Sequence, residues 1–257
     1  MKVYILSSVI LTISLTASGF ESINESTNVD EQFSQKSESN KSIIIGAASL
    51  TNLVEKNGLG VYQQIMRLAL QGTNYHVTEK FLPFRRALLE FEQNHVDCNY
   101  SSTELLQDKF GSDAIISSYP LGVFIFYIFT KQDTKAISNL NDLNNLRTGG
   151  INGQAQYYQD LLPKDAKLQL LNTDKQGMKM LNLNRLDAFI AALPDLTPYI
   201  GELSFDRNYP IYTSFDRITC HNTEKNKDFL NLLSSALSKL KTEGSYKKIA
   251  GEFYIDF

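Results

Sequence analysis

The side chains that most often carry catalysis are few and scattered in this sequence. His76, His95 and His221 lie far apart, and none belongs to a His-Glu-x-x-His metal motif. Neither the Gly-x-Ser-x-Gly motif of hydrolases nor the Gly-x-x-x-x-Gly-Lys phosphate loop occurs. The sequence therefore predicts a protein that is not an enzyme and that needs no metal ion or cofactor. The alternative is an enzyme in which a carboxylate such as Glu104 or Asp195 acts as a general base.

Hydroxyl and amide side chains are concentrated in residues 99–103, which read Asn-Tyr-Ser-Ser-Thr. These groups can both donate and accept hydrogen bonds, so the segment can hold a polar ligand. Ser and Thr also cap helices, and Glu104 would then lie in the first helical turn. The two interpretations are compatible, and the sequence leaves both open.

Composition and charge exclude several classes of protein. The 257 residues include 25 Lys and Arg against 28 Asp and Glu, a net charge of −3. Such a chain lacks the basic surface that binds nucleic acid, so no nucleic-acid partner is expected. With 3 His and 2 Cys, it has too few ligands for a zinc cluster and too few cysteines for a disulfide scaffold.

The first 42 residues differ in composition from the rest. Residues 1–19 contain Lys2, an uncharged run from Ile5 to Ala17 and a small-residue end, which is the pattern of a secretory signal peptide. The apolar run is shorter than the roughly 20 residues of a transmembrane helix. Residues 20–42 are rich in Ser, Asn, Glu and Gln and predict a flexible polar leader. We expect export to the periplasm.

From residue 43 onward, the hydrophobic pattern alternates between strand and helix periods, which predicts an α/β fold. Strands are predicted at 43–46, 75–81, 96–100, 122–131, 148–151, 167–171, 186–191 and 217–221. Helices are predicted at 61–69, 84–91, 154–162, 175–182, 229–240 and 246–253, with Gly244 just after the long fifth helix.

Five sequence blocks resemble the bacterial periplasmic solute-binding proteins of the type II, amino-acid-binding family, known as family 3 of the ABC transporters. Two of them are the Phe-Arg-Arg-Ala-Leu run with the later Val-Asp, and the Ser-Ser-Tyr-Pro run. The blocks lie at 84–97, 117–120, 140–153, 183–189 and 236–254. Their order and spacing across residues 43–257, rather than any single block, carry the resemblance.

The resemblance implies two α/β lobes joined by two hinge crossings. Lobe 1 would be discontinuous, formed by residues 43–129 and 218–257, and lobe 2 would be residues 130–217. A protein of this kind captures a small polar solute between its lobes and delivers it to a membrane ABC transporter permease or a sensor. A monomer is expected.

The resemblance also indicates which residues should face the cleft between the lobes. They are polar, and they follow strands or begin a helix. The candidate ligand-binding residues are Asn99, Ser101, Ser102, Thr103, Asn152, Gln154 and Asp195. The backbone N–H groups of residues 153–155, at the start of the predicted third helix, would favour an anionic group.

Two departures from the family pattern affect the expected ligand. The family holds an α-carboxylate with an arginine shortly after the third strand, but residues 101–110 contain only Lys109 as a cation. Ala192 stands where the family has a carboxylate for the α-amino group, and Asp195 lies three residues later. We therefore expect a solute other than an ordinary α-amino acid. The alternatives are a ligand-poor signalling or protein-interaction subunit and, third, a periplasmic dehydratase-like enzyme.

Cys98 and Cys220 would lie on neighbouring strands in the type II sheet order. An exported protein meets an oxidising compartment, so a disulfide is one interpretation, and two separately buried thiols are the other.

Overall fold

A computed structural model describes residues 41–257. The predicted signal peptide at 1–19 lies outside the described residues, as does the predicted leader apart from its last two residues. Those two, Lys41 and Ser42, already belong to the first strand.

Strands and helices alternate along the chain, as the hydrophobic pattern predicts. The strands are β1 (Lys41–Ala47), β2 (Tyr75–Phe81), β3 (Cys98–Ser102), β4 (Ile115–Ser117), β5 (Gly122–Lys131), β6 (Arg147–Ile151), β7 (Lys167–Leu171), β8 (Ala188–Leu193), β9 (Leu203–Ser204) and β10 (Tyr212–His221). The helices are α1 (Val61–Ala69), α2 (Phe84–Glu92), α3 (Thr103–Phe110), α4 (Asp174–Asn182), α5 (Glu224–Thr242) and α6 (Ser245–Ala250).

The sheet consists of two parallel halves joined by two long antiparallel strands. Its order is β2-β1-β3-β10-β5-β8-β6-β7. Strands β1, β2 and β3 are mutually parallel, as are β6, β7 and β8, whereas β5 and β10 run antiparallel to their neighbours. We call the half with β1–β4 lobe 1 and the half with β6–β9 lobe 2. Strands β5 and β10 are the two hinge crossings between them.

The lobe 1 core forms because apolar residues recur at helical spacing. Helix α1 buries Val61, Ile65 and Met66 in the same hydrophobic cluster as Ile43 and Phe229. Helix α5 packs there too. Its N-cap Thr223 accepts a hydrogen bond from the backbone of Asn226, and Gly244 after it has a φ of +77°, as the sequence predicts for a helix C-terminus.

The helix predicted at 154–162 is wrong. Two short 3-10 turns stand there instead, over Ala155–Tyr157 and Gln159–Leu161. Tyr158 interrupts the helix with a φ of −140°, because its ring turns into the core and is fully buried. The side chain fits against β6 since Gly150 lacks a Cβ, which would lie 2.2 Å from the Tyr158 hydroxyl.

Strand β10 begins five residues earlier than the predicted start at Arg217. Its second half pairs with β3 and its first half with β5. In the β3 pairing Cys220 lies directly opposite Cys98, and the structure joins the two in a disulfide with sulfur atoms 2.00 Å apart.

Candidate ligand-binding cleft

A cavity of about 600 Å³ lies between the two lobes. Lobe 1 contributes the loop after β1, the start of α2 and the end of β3. Lobe 2 contributes the turn after β6 and the loop after β8, and the crossing strands β5 and β10 form the floor. The lining residues used below are Lys56, Phe84, Arg85, Ser101, Phe124, Phe126, Asn152, Gln154, Tyr157, Asp195 and Asp216.

Four of the predicted ligand-binding residues line this cavity: Ser101, Asn152, Gln154 and Asp195. Ser102 is the last residue of β3. Asn99 and Thr103 do not line it. The Asn99 side chain is buried beneath β1, where a Cβ on Gly46 would lie 2.7 Å from its Oδ1 atom. The Thr103 hydroxyl is 3.2 Å from that of Thr219, so it packs inside lobe 1.

Asp195 is the most deeply buried carboxylate of the cavity lining, with 5 % of its surface exposed. The Gln154 side-chain amide donates a hydrogen bond of 3.0 Å to its Oδ2 atom. Burial raises the pKa of Asp195 well above 3.8, the charges of Asp174 and Asp216 raise it further, and the Gln154 hydrogen bond lowers it in part. The loop after β8 thus brings Asp195 to the cleft although Ala192, which also lines it, carries no charge.

Asp216 is a cleft carboxylate that sequence reasoning missed. It lies in β10 opposite Ser102 on one side and Gly122 on the other. The Tyr62 hydroxyl donates a 2.8 Å hydrogen bond to its Oδ2 atom. Gly122 is needed for this contact because a Cβ there would lie 2.3 Å from the Tyr62 hydroxyl oxygen. Burial raises the pKa of Asp216 to about 6, against the opposing effect of the Tyr62 hydrogen bond.

One signal could have located Asp216. Tyr212, Thr213 and Phe215 favour a strand by residue type, and a strand extended back to Tyr212 would have placed Asp216 in the middle of a hinge crossing. Pro210 marks where that strand can begin.

A third buried carboxylate, Asp174, lies in the first turn of α4 and does not line the cavity. It is 8 % exposed, and its Oδ1 atom has no hydrogen-bond partner. Burial raises the pKa of Asp174, while a hydrogen bond from the Thr51 side chain lowers it in part.

The carboxylates of the cleft have no cationic partner. Within residues 41–257, no ion pair includes Asp174, Asp195 or Asp216. Lys56 and Arg85 line the cavity but are solvent-exposed. The cleft is therefore acidic inside, with its positive charges at the exposed rim.

An aromatic wall stands beside these carboxylates. The ring centroids of Phe124 and Tyr157 are 5.2 Å apart, and those of Phe126 and Tyr157 are 5.7 Å apart. Phe84 adds an apolar surface from lobe 1, where it approaches Gly153. These rings give the cavity an apolar body beside its few polar groups, which is typical of small-molecule sites.

The α-helix on which the predicted anion site at residues 153–155 depends is absent, since a 3-10 turn stands there. The N–H group of Asn152 donates instead to the Leu171 carbonyl and that of Gln154 to the Ile151 carbonyl, both at 2.9 Å. Of the three predicted N–H donors, that of Gln154 is therefore used within the turn.

Between residues 41 and 257, no group of three or more His, Cys, Asp or Glu side chains is placed to hold a metal ion. No helix in that range is long and apolar enough to cross a membrane.

Solved structures share this architecture over most of the chain. The glutamate-bound ligand-binding core of GluR0 from Nostoc punctiforme superposes with a TM-score of 0.65, covering 82 % of this chain and 99 % of its own at 16 % identity. The fold is that of the type II periplasmic binding proteins. No family model and no curated protein sequence matches the chain.

Two further structures with the type II periplasmic-binding-protein fold are similar. The substrate-binding protein of an amino acid ABC transporter has a TM-score of 0.63 at 17 % identity and covers 83 % of this chain and 99 % of its own. The unliganded, open L-cystine solute receptor of Neisseria gonorrhoeae has a TM-score of 0.57 at 15 % identity, with coverages of 84 % and 93 %. All three comparison proteins are described as receptors or binding proteins.

Proposed function

We propose that this protein is a periplasmic substrate-binding protein that captures a small polar solute between its lobes. The carrying observation is the cavity at the lobe interface, lined by residues of both lobes and by both crossing strands. Ligand bound there would contact both lobes at once, so it would favour the closed arrangement of the two.

The further parts of the proposal concern the lobe boundaries, the partner and the location. Residues 43–129 with 218–257 form one moving body and 130–217 the other. The loaded protein delivers its solute to a membrane ABC transporter permease or a sensor, and it works as a monomer in the periplasm. The type II fold supports this assignment, as do the named roles of the similar structures.

A specific observation favours a rival function. Helix α3, where the amino-acid-binding family carries its arginine, has Lys109 as its single cation, and that side chain pairs with Glu92 at 2.8 Å on the protein surface. A cleft without this clamp also suits a signalling or protein-interaction subunit that binds no amino acid.

Thermal unfolding against a solute panel separates these functions. The purified protein is stripped of co-purified ligand by partial denaturation and refolding, and circular dichroism verifies that it is folded. The panel contains α-amino acids, amines, organic acids and small oligosaccharides. At 100 times its dissociation constant, a ligand is expected to raise Tm by about 5–10 °C for a chain of this length.

A saturable shift with any panel member supports the solute-binding function. No shift with any class, from a protein shown to be folded, contradicts it and favours the interaction subunit. Product formation during the same incubations, followed by mass spectrometry, would instead favour the enzyme.

A further inference from the structure

The proposed function leaves the solute unidentified, and the chemistry of the cleft narrows it. We propose that the solute is an organic cation without a carboxylate, an alkyl amine or alkyl guanidine whose charged groups bind Asp195 and Asp216. This inference rests on the proposed solute-binding function and adds the class of substrate.

The first argument is the unbalanced charge inside the cleft. Asp195 and Asp216 both line the cavity, and their hydrogen-bond donors, Gln154 and Tyr62, are neutral. Two ionised carboxylates placed close enough to influence each other destabilise one another unless a cation lies between them, and the raised pKa of Asp195 reflects in part this cost of ionisation. A bound cation supplies that missing partner.

The second argument is a buried hydroxyl with nothing to bind. Ser101 lines the cavity and is 4 % exposed, and its Oγ atom has no hydrogen-bond partner. Buried polar atoms in folded proteins are nearly always paired, so an orphan beside the cavity is a group that a ligand can satisfy once the side chain turns toward it. As an acceptor, the Ser101 hydroxyl suits an ammonium or guanidinium N–H.

The third argument concerns the body of the ligand. The rings of Phe124, Phe126 and Tyr157 form an apolar wall beside the carboxylates. Such a wall packs against methylene groups, and aromatic faces also attract cations. An alkyl chain carrying a charged end matches both surfaces.

The same arrangement argues against the two nearest alternatives. A metal ion needs several ligands converging on one point, and no such group of side chains exists within residues 41–257. A carboxylate-bearing ligand would need a cation inside the cleft, where the lining offers only the exposed Lys56 and Arg85. An anion placed further in would face two carboxylates of the same sign.

Matched pairs of solutes test the inference directly. Agmatine is L-arginine without its carboxylate, and cadaverine is L-lysine without its carboxylate. Thermal unfolding of the stripped protein at pH 7.5 is followed with each solute at up to 10 mM. We expect agmatine or cadaverine to raise Tm by about 5–10 °C at saturation, and its amino-acid counterpart to raise it by less than 1 °C.

Two charge-neutralising variants locate the binding site, with a matched control. We expect Asp195→Asn and Asp216→Asn each to weaken binding of the active amine by at least about 30-fold, since each removes one of the two charges that hold the cation. Asp160→Asn makes the same chemical change at an exposed position outside the cavity lining and should leave the affinity within a factor of two.

The outcomes distinguish this inference from the function on which it rests. Tighter binding of L-arginine or L-lysine than of its amine would overturn the cation inference and leave the solute-binding function standing. A thermal shift produced only by neutral or anionic solutes of the wider panel would have the same consequence. No shift with any solute contradicts both. If all three variants bound the amine with the affinity of the parent protein, the inference would also be overturned, because the amine would then bind elsewhere.

Discussion

Aspartates near the two ends of strands β3 and β8 have opposite surroundings. Asp97 directly precedes β3 and Asp187 directly precedes β8, and we call this side of the sheet the outer end. Asp97 accepts a hydrogen bond from the Ile44 backbone at 2.8 Å and pairs with Lys225 at 2.9 Å. Asp187 accepts one from the backbone of Arg147 at 2.9 Å and pairs with its guanidinium at 2.6 Å.

At the cleft end, the carboxylates of Asp195 and Asp216 have neutral hydrogen-bond donors and no cation. The effect on titration differs accordingly. The hydrogen bond from Arg147 lowers the pKa of Asp187, whereas burial raises the pKa of Asp195 and Asp216. The outer-end aspartates tie each lobe's strands together, and the cleft-end aspartates lie where the folded chain supplies no counter-charge. We therefore expect stability to depend on the outer end and ligand binding on the cleft end.

The largest expected effect on stability comes from the outer-end disulfide. Cys98 is the first residue of β3, and its bond to Cys220 closes a sequence separation of 122 residues. Replacing both cysteines in Cys98→Ala/Cys220→Ala should lower the free energy of unfolding by about 2–5 kcal/mol. Denaturant unfolding measures this loss, and the affinity for the active amine should change less than threefold. A loss below about 1 kcal/mol would contradict the claim that the outer end determines stability.

The next largest expected effect is on the free energy of unfolding, which an ionised, buried Asp216 lowers in the ligand-free protein. Its pKa rises from 3.8 to about 6 on folding, so the native state binds more protons than the unfolded state between these values. Stability from this group therefore falls as pH rises through that window, by up to about 3 kcal/mol at pH 7.5.

Asp216→Asn removes this cost, so the variant should be more stable than the parent at pH 7.5 and the difference should close below about pH 4. Denaturant unfolding of both proteins across pH 4–8 measures the difference, which cancels the other titrating groups. The exposed Asp160→Asn serves as the control and should show a difference of less than about 0.5 kcal/mol throughout. A variant less stable than the parent at pH 7.5 would contradict the account.

A smaller, destabilising effect on the free energy of unfolding is expected at the outer end of lobe 2. Asp187→Ala removes the ion pair with Arg147 and the acceptor of its backbone N–H. Because the Asp187 side chain is partly exposed, the free energy of unfolding should fall by only about 1–2 kcal/mol. Thermal and denaturant unfolding check this value, and ligand affinity should remain unchanged. A loss of binding would show that the two ends are not separable.

The smallest expected effect is on ligand affinity at the cleft end. Tyr62→Phe removes the hydroxyl that donates to Asp216 and partly lowers its pKa. Without this donor, the ionised carboxylate is less favourable, so amine binding at pH 7.5 should weaken by about two- to fivefold. Titration calorimetry measures the change. Tighter binding in the variant would indicate that the tyrosine hydroxyl competes with the ligand for Asp216.

The sequence predicted the elements well where their pattern is local. Strands β2, β5 and β7 are confirmed with the predicted bounds. In each of them, residue types that favour strands form one uninterrupted segment, and polar or turn residues flank it. The helix predicted at 154–162 failed for a non-local reason, since the buried Tyr158 depends on the space left by Gly150 in β6. Helical spacing alone carries no information about that space.

The cleft was predicted only in part, for a related reason. Ser101 lies near the end of β3, and Gln154 and Asp195 follow β6 and β8, so the order of elements indicates them at the expected edge of the sheet. Asn99 has the right residue type, but its strand position turns it beneath β1. Asp216 reaches the cleft through the register of β10 against β3 and β5, and that register is set by long-range pairing that a single sequence does not display.

The central claim is that the cleft carboxylates bind a cation, and proton release tests it most directly. Agmatine or cadaverine, whichever gives the larger thermal shift, is titrated into the stripped protein at pH 6 in two buffers of different ionisation enthalpy. A cation beside Asp195 and Asp216 lowers the pKa of both carboxyls, so calorimetry should detect net proton release on ligand binding, and Asp216→Asn should reduce that release. Proton uptake, or binding with no proton exchange, would contradict the account.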